Sequence, residues 1–236
     1  MPNYIRNKII LNGTFEKIQS MYEKFNTYMP AKIVKNSSGY IQCKNTTNDE
    51  YGFFNPYTGD FQDVLEKKKQ KGLPNGWEIV IEQSFNYFPD FRKIIPPPQN
   101  MITRSITFEE MDEYKKQGIP TWYHWNIENW GTKWNALNII REGINTFIFE
   151  TAWNSVPKII AEMSRQFPQV IIEYSYADED TGYNCGEYEY KAGEIVRQHI
   201  PKGGSKEAYE IAFKLFPELK EDYALIENNY QCIIED

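Results

Sequence analysis

The sequence predicts an α+β fold in which helices pack on one face of a mainly antiparallel sheet. Three observations carry this: alternating apolar and polar residues at 4–12, 146–152 and 170–191, an amphipathic helical stripe after each of the first two, and the turn Asp178-Glu179-Asp180-Thr181-Gly182, which folds the third segment into a hairpin. With 236 residues, 41% of them hydrophobic, the chain can build one sizeable core or one core carrying an elaborated insertion.

Residues 4–12 read as a strand closing on Asn12-Gly13, and a helix follows, with Thr14 as its cap and Phe15, Ile18, Met21, Tyr22 and Phe25 on one face. From residue 28 to 88 Gly, Asn, Thr and Tyr become frequent and apolar runs shorten, so this segment reads as an insertion with a small hairpin and a charged helical patch at residues 61–70. Residues 53–59 have the chemistry of a tight turn presenting aromatics. Residues 89–98 end in three prolines and read as extended chain throughout. Thr107-Phe108-Glu109-Glu110 is a capping box opening a helix with Met111 and Tyr114 inward, and a short helix runs from Thr121 to Trp130-Gly131.

Residues 132–145 read as a linker before the strand at 146–152. Ser155 and Pro157 open the next helix, whose stripe is Val156, Ile159, Ile160, Met163 and Phe167, and Pro168 stops it. In the hairpin Tyr188 and Tyr190 share one face while Cys185, Glu187 and Glu189 share the other, which predicts a sheet covered on one side and largely wet on the other. Ser205 to Phe216 is a terminal helix, followed by an appendage.

Composition narrows the function classes. No apolar run approaches the roughly 18 residues of a membrane span, and the start of the chain lacks the pattern of a secretory signal, so a cytoplasmic protein is expected. Cys43, Cys185 and Cys232 are widely spaced and read as free, buried thiols; with His124 and His199 as the only histidines, neither a disulfide framework nor a metal site or other cofactor is expected. A net charge of −7 weighs against a protein that works mainly by neutralising phosphates. The dense basic run, Lys67-Lys68-Lys69 with Lys71, sits at the end of the expected helical patch, where lysines also suit the helix dipole.

The order strand, helix, insertion, strand, helix, paired strands is that of a split β-α-β arrangement, a ferredoxin-like sandwich. Its domain organisation is residues 1–27 as first strand and helix, 28–88 as insertion, 89–195 as remainder of the sandwich and 196–236 as a C-terminal helical extension. Through MPNYIRNKIILNG, PDFRKIIPPP, WYHWNIENWGTKWNA and FETAWNSVPKIIAEMSRQFP leading to EYSYADEDTGYNCGEYEYKAGE, the chain resembles the YubB-type ferredoxin-like domain proteins of phage, prophage and plasmid genomes. The resemblance implies that fold, without an iron–sulfur cluster, and carries no reaction over to any residue.

Trp122, Trp125, Trp130 and Trp134, with Tyr123 and Lys133, form the most unusual local composition, suited either to lining a ligand groove or to stapling a short helix onto the sheet. Gly131-Thr132-Lys133 lacks the leading glycine of a phosphate loop, although Lys133 could contact an anion. Asp178, Glu179 and Asp180 with Asn184 could hold a hard cation or form a charged hairpin tip. His124, Glu128 and Glu150 are the candidate acid–base set, with no nucleophile nearby.

The expected function is a non-enzymatic accessory protein of a phage or mobile element that binds a macromolecular partner, a host protein or a protein–nucleic acid complex. Its sharper form is a counter-defence inhibitor, anti-CRISPR-like, that occupies the basic channel of a host immune effector. The alternatives are direct nucleic-acid handling through an aromatic groove and an enzyme built around His124 and Glu128.

Overall fold

The computed structural model describes residues 3–29, 32–36, 38–47, 50–54, 60–63, 69–82 and 85–233. The chain forms two compact units, one of Met1–Asn26 with Phe88–Asp236 and one of Thr27–Tyr87. The first unit begins with β1 (Tyr4–Asn12) and α1 (Phe15–Phe25).

The second unit is built of short strands: β2 (Thr27–Met29), β3 (Lys32–Ile33), β4 (Ile41–Asn45), β5 (Tyr51–Phe54), β6 (Asp60–Asp63), β7 (Lys69–Lys71), β8 (Trp77–Ile79), β9 (Ile81–Glu82) and β10 (Phe85–Tyr87). Five of them form an antiparallel sheet in the order β7-β6-β5-β4-β8, while β2 pairs with β10 and β3 with β9. Ile41, Cys43 and Phe61 make its small core, with the Phe61 ring edge-on to Trp77 at 4.7 Å. Gly52 is required there, because a Cβ on it would lie 2.3 Å from the Phe61 ring. The helical patch expected at residues 61–70 is therefore corrected: Phe61, Lys69 and Gln70 lie in paired strands, where burial of Phe61 overrides a charge pattern that suited a helix. Lys69 and Lys71 belong to β7 and not to a helix end. Residues 55–59 of the expected aromatic turn, and 64–68, lie outside the described residues.

In the first unit the chain continues through α2 (Phe91–Ile94), α3 (Phe108–Lys116), α4 (Trp122–Trp130), β11 (Leu137–Glu142), β12 (Thr146–Ala152), α5 (Pro157–Gln166), β13 (Ile171–Asp178), β14 (Gly186–Lys191), β15 (Glu194–His199) and α6 (Lys206–Leu215), then a 3₁₀ turn (Pro217–Asp222) and the hairpin β16 (Tyr223–Ile226), β17 (Asn229–Cys232). The main sheet has six strands in the order β11-β12-β1-β13-β14-β15, antiparallel at each junction. No helix among the described residues is long and apolar enough to cross a membrane.

Pairing aligns Ile9 with both Phe147 and Tyr174, so these side chains share one face with Ile5 and Leu11, and all five are buried. α1 covers this face with Ile18, Met21, Tyr22 and Phe25, and α5 covers it with Ile159, Ile160 and Met163. Asn7 and Thr151 lie at its centre with no exposure, joined by an Asn7 Nδ2 to Thr151 Oγ1 hydrogen bond of 2.9 Å. Such burial is tolerated because each polar group has a partner.

The opposite face carries Arg6, Lys8, Glu150, Glu173, Ser175 and Glu187, and is covered in part by α6, whose Ala208, Ile211, Ala212 and Leu215 pack on Ala177 and Cys185. Arg6 fixes the end of α6, donating to the Leu215 carbonyl at 3.0 Å while its guanidinium lies 4.1 Å from the centre of the Phe216 ring. The C-terminal extension is thus more than helix: β15 adds a strand to the sheet, and Tyr223 and Tyr230 of the final hairpin pack on Tyr209 and Phe213 of α6.

Two further expectations are corrected. Residues 89–98 are not wholly extended, since Asp90 caps the short helix α2 by accepting from the Arg92 N–H at 3.1 Å, and the prolines act only beyond it. The linker at residues 132–145 contains β11, an edge strand whose mostly exposed residues give no clean alternation. Cys43 and Cys185 are buried as expected, but Cys232 is exposed at the end of β17.

Candidate functional site

α4 ends where Gly131 takes a left-handed conformation at φ 85° and its N–H donates to the Ile127 carbonyl at 3.1 Å. The helix divides the tryptophans into two sets. Trp130 is 3% exposed, donates from Nε1 to the Ile95 carbonyl at 2.9 Å and stands edge-on to Phe91, while Trp125 packs edge-on against Trp130. These two fix the helix against α2 and the residue that follows it. Trp122, Tyr123 and Trp134 are half-buried, and the Lys133 ammonium lies over them at 4.6 Å from Trp134, 5.7 Å from Tyr123 and 6.0 Å from Trp122. Asn126 holds the Lys133 loop in place by donating to the Lys133 carbonyl at 2.9 Å. The ammonium thus sits on negative ring faces at the protein surface.

Sequence reasoning passed over Phe108. It is 73% exposed at the start of α3, its ring edge-on to Tyr123 at 6.5 Å. The capping box fixes it there: the Thr107 hydroxyl accepts from the Glu110 N–H at 3.2 Å, and the Glu110 carboxylate accepts from the Thr107 N–H at 2.9 Å. The first turn carries Glu109 and Glu110, the next Asp112 and Glu113, and the last Lys115 and Lys116. Hydrogen bonds from Arg104 and the Thr107 backbone hold the Glu110 carboxyl below its ordinary range, and bonds to its own backbone and to Thr107 do the same for Glu109, so both stay charged through neutral pH. The signal available in the sequence was a phenylalanine at the first helical position inside a capping box, outside the pair of positions that a hydrophobic staple would bury.

The other candidates are placed apart. Asp178 is buried and shapes the hairpin turn, its Oδ1 accepting from the Asp180 N–H at 3.0 Å and its Oδ2 from Asn184 at 3.0 Å; Glu179 donates its N–H to the Tyr4 carbonyl. Among the described residues no three His, Cys, Asp or Glu side chains gather as a metal site. His124 Nδ1 lies 3.2 Å from the Thr121 hydroxyl, and Glu128 is exposed, its carbonyl accepting from Lys158. Glu150 neighbours Phe149 in β12 and so points to the opposite sheet face from α4, where it meets Asn138 at 2.6 Å and Arg6 at 3.6 Å. The structure therefore does not gather His124, Glu128 and Glu150 into one constellation.

A groove lies on that opposite face, of 580 Å³, with a floor from β1, β13 and β14 and flanks from β15 and α6. Lys8, Ser175, Glu187, Arg197, His199 and Lys214 line it. Lys214 pairs with Glu187 at 2.9 Å, Arg197 with Glu189 at 3.4 Å and Lys8 with Glu142 at 3.4 Å. Nothing local in the sequence announces it, because its walls come from five separate elements.

Residues 129–216 match the family model described as the ferredoxin-like domain in Api92-like protein. The mixed α+β architecture with its antiparallel sheet is the fold that description names, and the fold is ferredoxin-like. Over 86 residues the chain is 36% identical to the uncharacterized protein YubB of Escherichia coli K12, an alignment covering 34% of this chain and 57% of that protein. The chain thus spans a little over half the length of that relative. It is also similar to the crystal structure of a protein api92 from Yersinia pseudotuberculosis, at 14% identity and a TM-score of 0.43, over 86% of this chain and 99% of that one.

Proposed function

We propose that the chain is a binding module without catalytic function that docks a macromolecular partner through the α3–α4 face, and that the partner is a protein presenting a basic surface. The observation that carries this is Phe108, 73% exposed above Tyr123 at the start of a helix that carries four carboxylates against two lysines, with Glu110 paired to Arg104 and Glu109, Asp112 and Glu113 beside it. An exposed ring amid acidic residues has the chemistry of an interface anchor: the ring fills an apolar pocket and the carboxylates steer a basic rim onto it. Half-buried Trp122, Tyr123 and Trp134 extend the aromatic area behind it.

The segments shared with YubB-type proteins support placing this activity in a phage, prophage or plasmid setting, in the host cytoplasm. There the sharper form of the proposal is a counter-defence inhibitor whose acidic α3 enters a basic nucleic-acid channel of a host effector. Direct nucleic-acid handling is less well supported, because the exposed helix beside the aromatic rings carries acidic residues that repel phosphates.

The test is affinity recovery of tagged protein from a bacterial host, with wild type, Phe108→Glu and, as a control at an exposed position of β15, Ile195→Glu in parallel. A stoichiometric protein that is lost with Phe108→Glu and retained with Ile195→Glu supports the reading. Nuclease-sensitive material that persists in both variants overturns it in favour of nucleic-acid handling.

A further inference from the structure

The groove on the sheet face away from α4 is independent of that reading. Its volume of 580 Å³ lies within the roughly 300–1,000 Å³ of small-molecule sites, and its lining converges from four strands and a helix. On a chain of net charge −7, three cationic side chains, Lys8, Arg197 and Lys214, meet there with His199, beside the lining carboxylates Glu173 and Glu187 and the pairing carboxylates Glu142 and Glu189. Each cation is held by a carboxylate in a partly exposed pair, an arrangement worth little and readily exchanged for a better acceptor. A phosphate group is such an acceptor.

The remaining lining selects the rest of the ligand. Ser175 and the two carboxylates offer hydrogen-bonding positions for hydroxyl groups, and Ile10 and Leu215 add a small apolar patch. The rings of Tyr174 and Tyr188 stack with each other on the opposite side of the sheet, so neither is placed to stack on a base in the groove. We propose that the groove between α6 and the β1-β13-β14-β15 face binds a small hydroxylated organic phosphate, of sugar-phosphate rather than nucleotide type.

The probes are glucose 6-phosphate, AMP, glucose and inorganic phosphate, followed by amide chemical shifts of the full chain. Glucose 6-phosphate is expected to give saturable shifts at Ser175, Glu187 and His199, tighter than the other three. Lys8→Ala and Lys214→Ala are each expected to weaken it by roughly tenfold, the loss of one charge-assisted hydrogen bond, and Phe108→Glu to leave it unchanged. Both lysines are partly exposed in salt bridges, so the variants keep the fold, which the unshifted remainder of the spectrum verifies. Shifts that never saturate, equal affinity for inorganic phosphate, tighter AMP, or full affinity in both lysine variants overturns the proposal.

Discussion

The Tyr174 hydroxyl donates to Asn7 Oδ1 at 2.7 Å across the β1–β13 ladder, and the same hydroxyl accepts the Val156 N–H at 3.0 Å. One phenol therefore ties two central strands to the start of α5. Tyr174→Phe removes it and leaves two buried groups unsatisfied, a cost of about 1–3 kcal/mol for each. Urea denaturation is expected to show an earlier midpoint with an unchanged slope; an unshifted midpoint would show that the contact contributes nothing.

Tyr174 and Tyr176, whose rings stack at 5.8 Å, set the alkaline limit. Burial, then the neighbouring Tyr188 and Cys185, push the Tyr176 phenol up to about 12, and burial raises Tyr174 well above the ordinary value of 10. The folded state then holds protons that the unfolded chain releases above pH 10, so the contribution to stability is complete below pH 10 and lost as pH rises toward 12 and beyond. Each such group steepens the loss by up to about 1.4 kcal/mol per pH unit. Denaturation midpoints measured from pH 8 to pH 12 are expected to begin falling above about 9, where the raised Cys185 and Cys43 thiols start to contribute, and to fall more steeply above 10, and Tyr176→Phe to flatten only the steeper part.

Where a single local device decides an element, the sequence was readable. The Thr107 and Glu110 box, Gly131 at positive φ and the Ser205 side chain accepting from the Ala208 N–H all place helix ends as their residue types suggest. Where long-range pairing decides, it was not. β11 reads as a linker because an exposed edge strand has no buried face to imprint a pattern, and residues around Phe61 read as helix because their strand partners supply the constraint. In the aromatic segment composition was visible, but only packing separates Trp130 in the core from Trp122 near the surface. The groove was invisible, its Lys8 and Lys214 belonging to opposite ends of the chain.

Thiol chemistry distinguishes the three cysteines. Burial pushes the Cys185 thiol up to about 11 and also raises Cys43, whereas Cys232 is exposed. Since the thiolate is the reactive form, an aromatic disulfide reagent at pH 8 is expected to modify one thiol rapidly in the native protein and all three after denaturation. Cys232→Ser removes the fast phase; rapid native reaction of a second thiol contradicts the packing around Cys185.

Arg6 joins the sheet to the C-terminal helix through three kinds of contact, the Leu215 carbonyl at 3.0 Å, Glu218 at 2.8 Å and the Phe216 ring at 4.1 Å. A planar guanidinium can satisfy all three together, and an ammonium cannot. Arg6→Lys is therefore expected to behave nearly as Arg6→Ala, with amide exchange accelerated in α6 and the Pro217–Asp222 turn but not in β1, whose ladder to β12 and β13 is made by backbone groups. Full protection of α6 in the lysine variant would reduce the role of Arg6 to its charge.

The division of the tryptophans gives a last, sharp contrast. Trp130 is 3% exposed and hydrogen-bonded through its indole N–H, so Trp130→Ala opens a cavity between Phe91 and Trp125 and costs about 3–5 kcal/mol. Trp122 is half-buried under Lys133, and Trp122→Ala removes one ring from a cation–π cluster at the surface, a cost of about 1 kcal/mol. Because Phe108 stands on Tyr123, which is itself edge-on to Trp122, that small change in stability is expected to accompany a measurable loss of partner recovery, while Trp125→Phe, confined to the staple against Trp130, leaves recovery intact. The reverse ranking, with recovery insensitive to Trp122 and sensitive to Trp125, would move the docking surface away from the α3–α4 face.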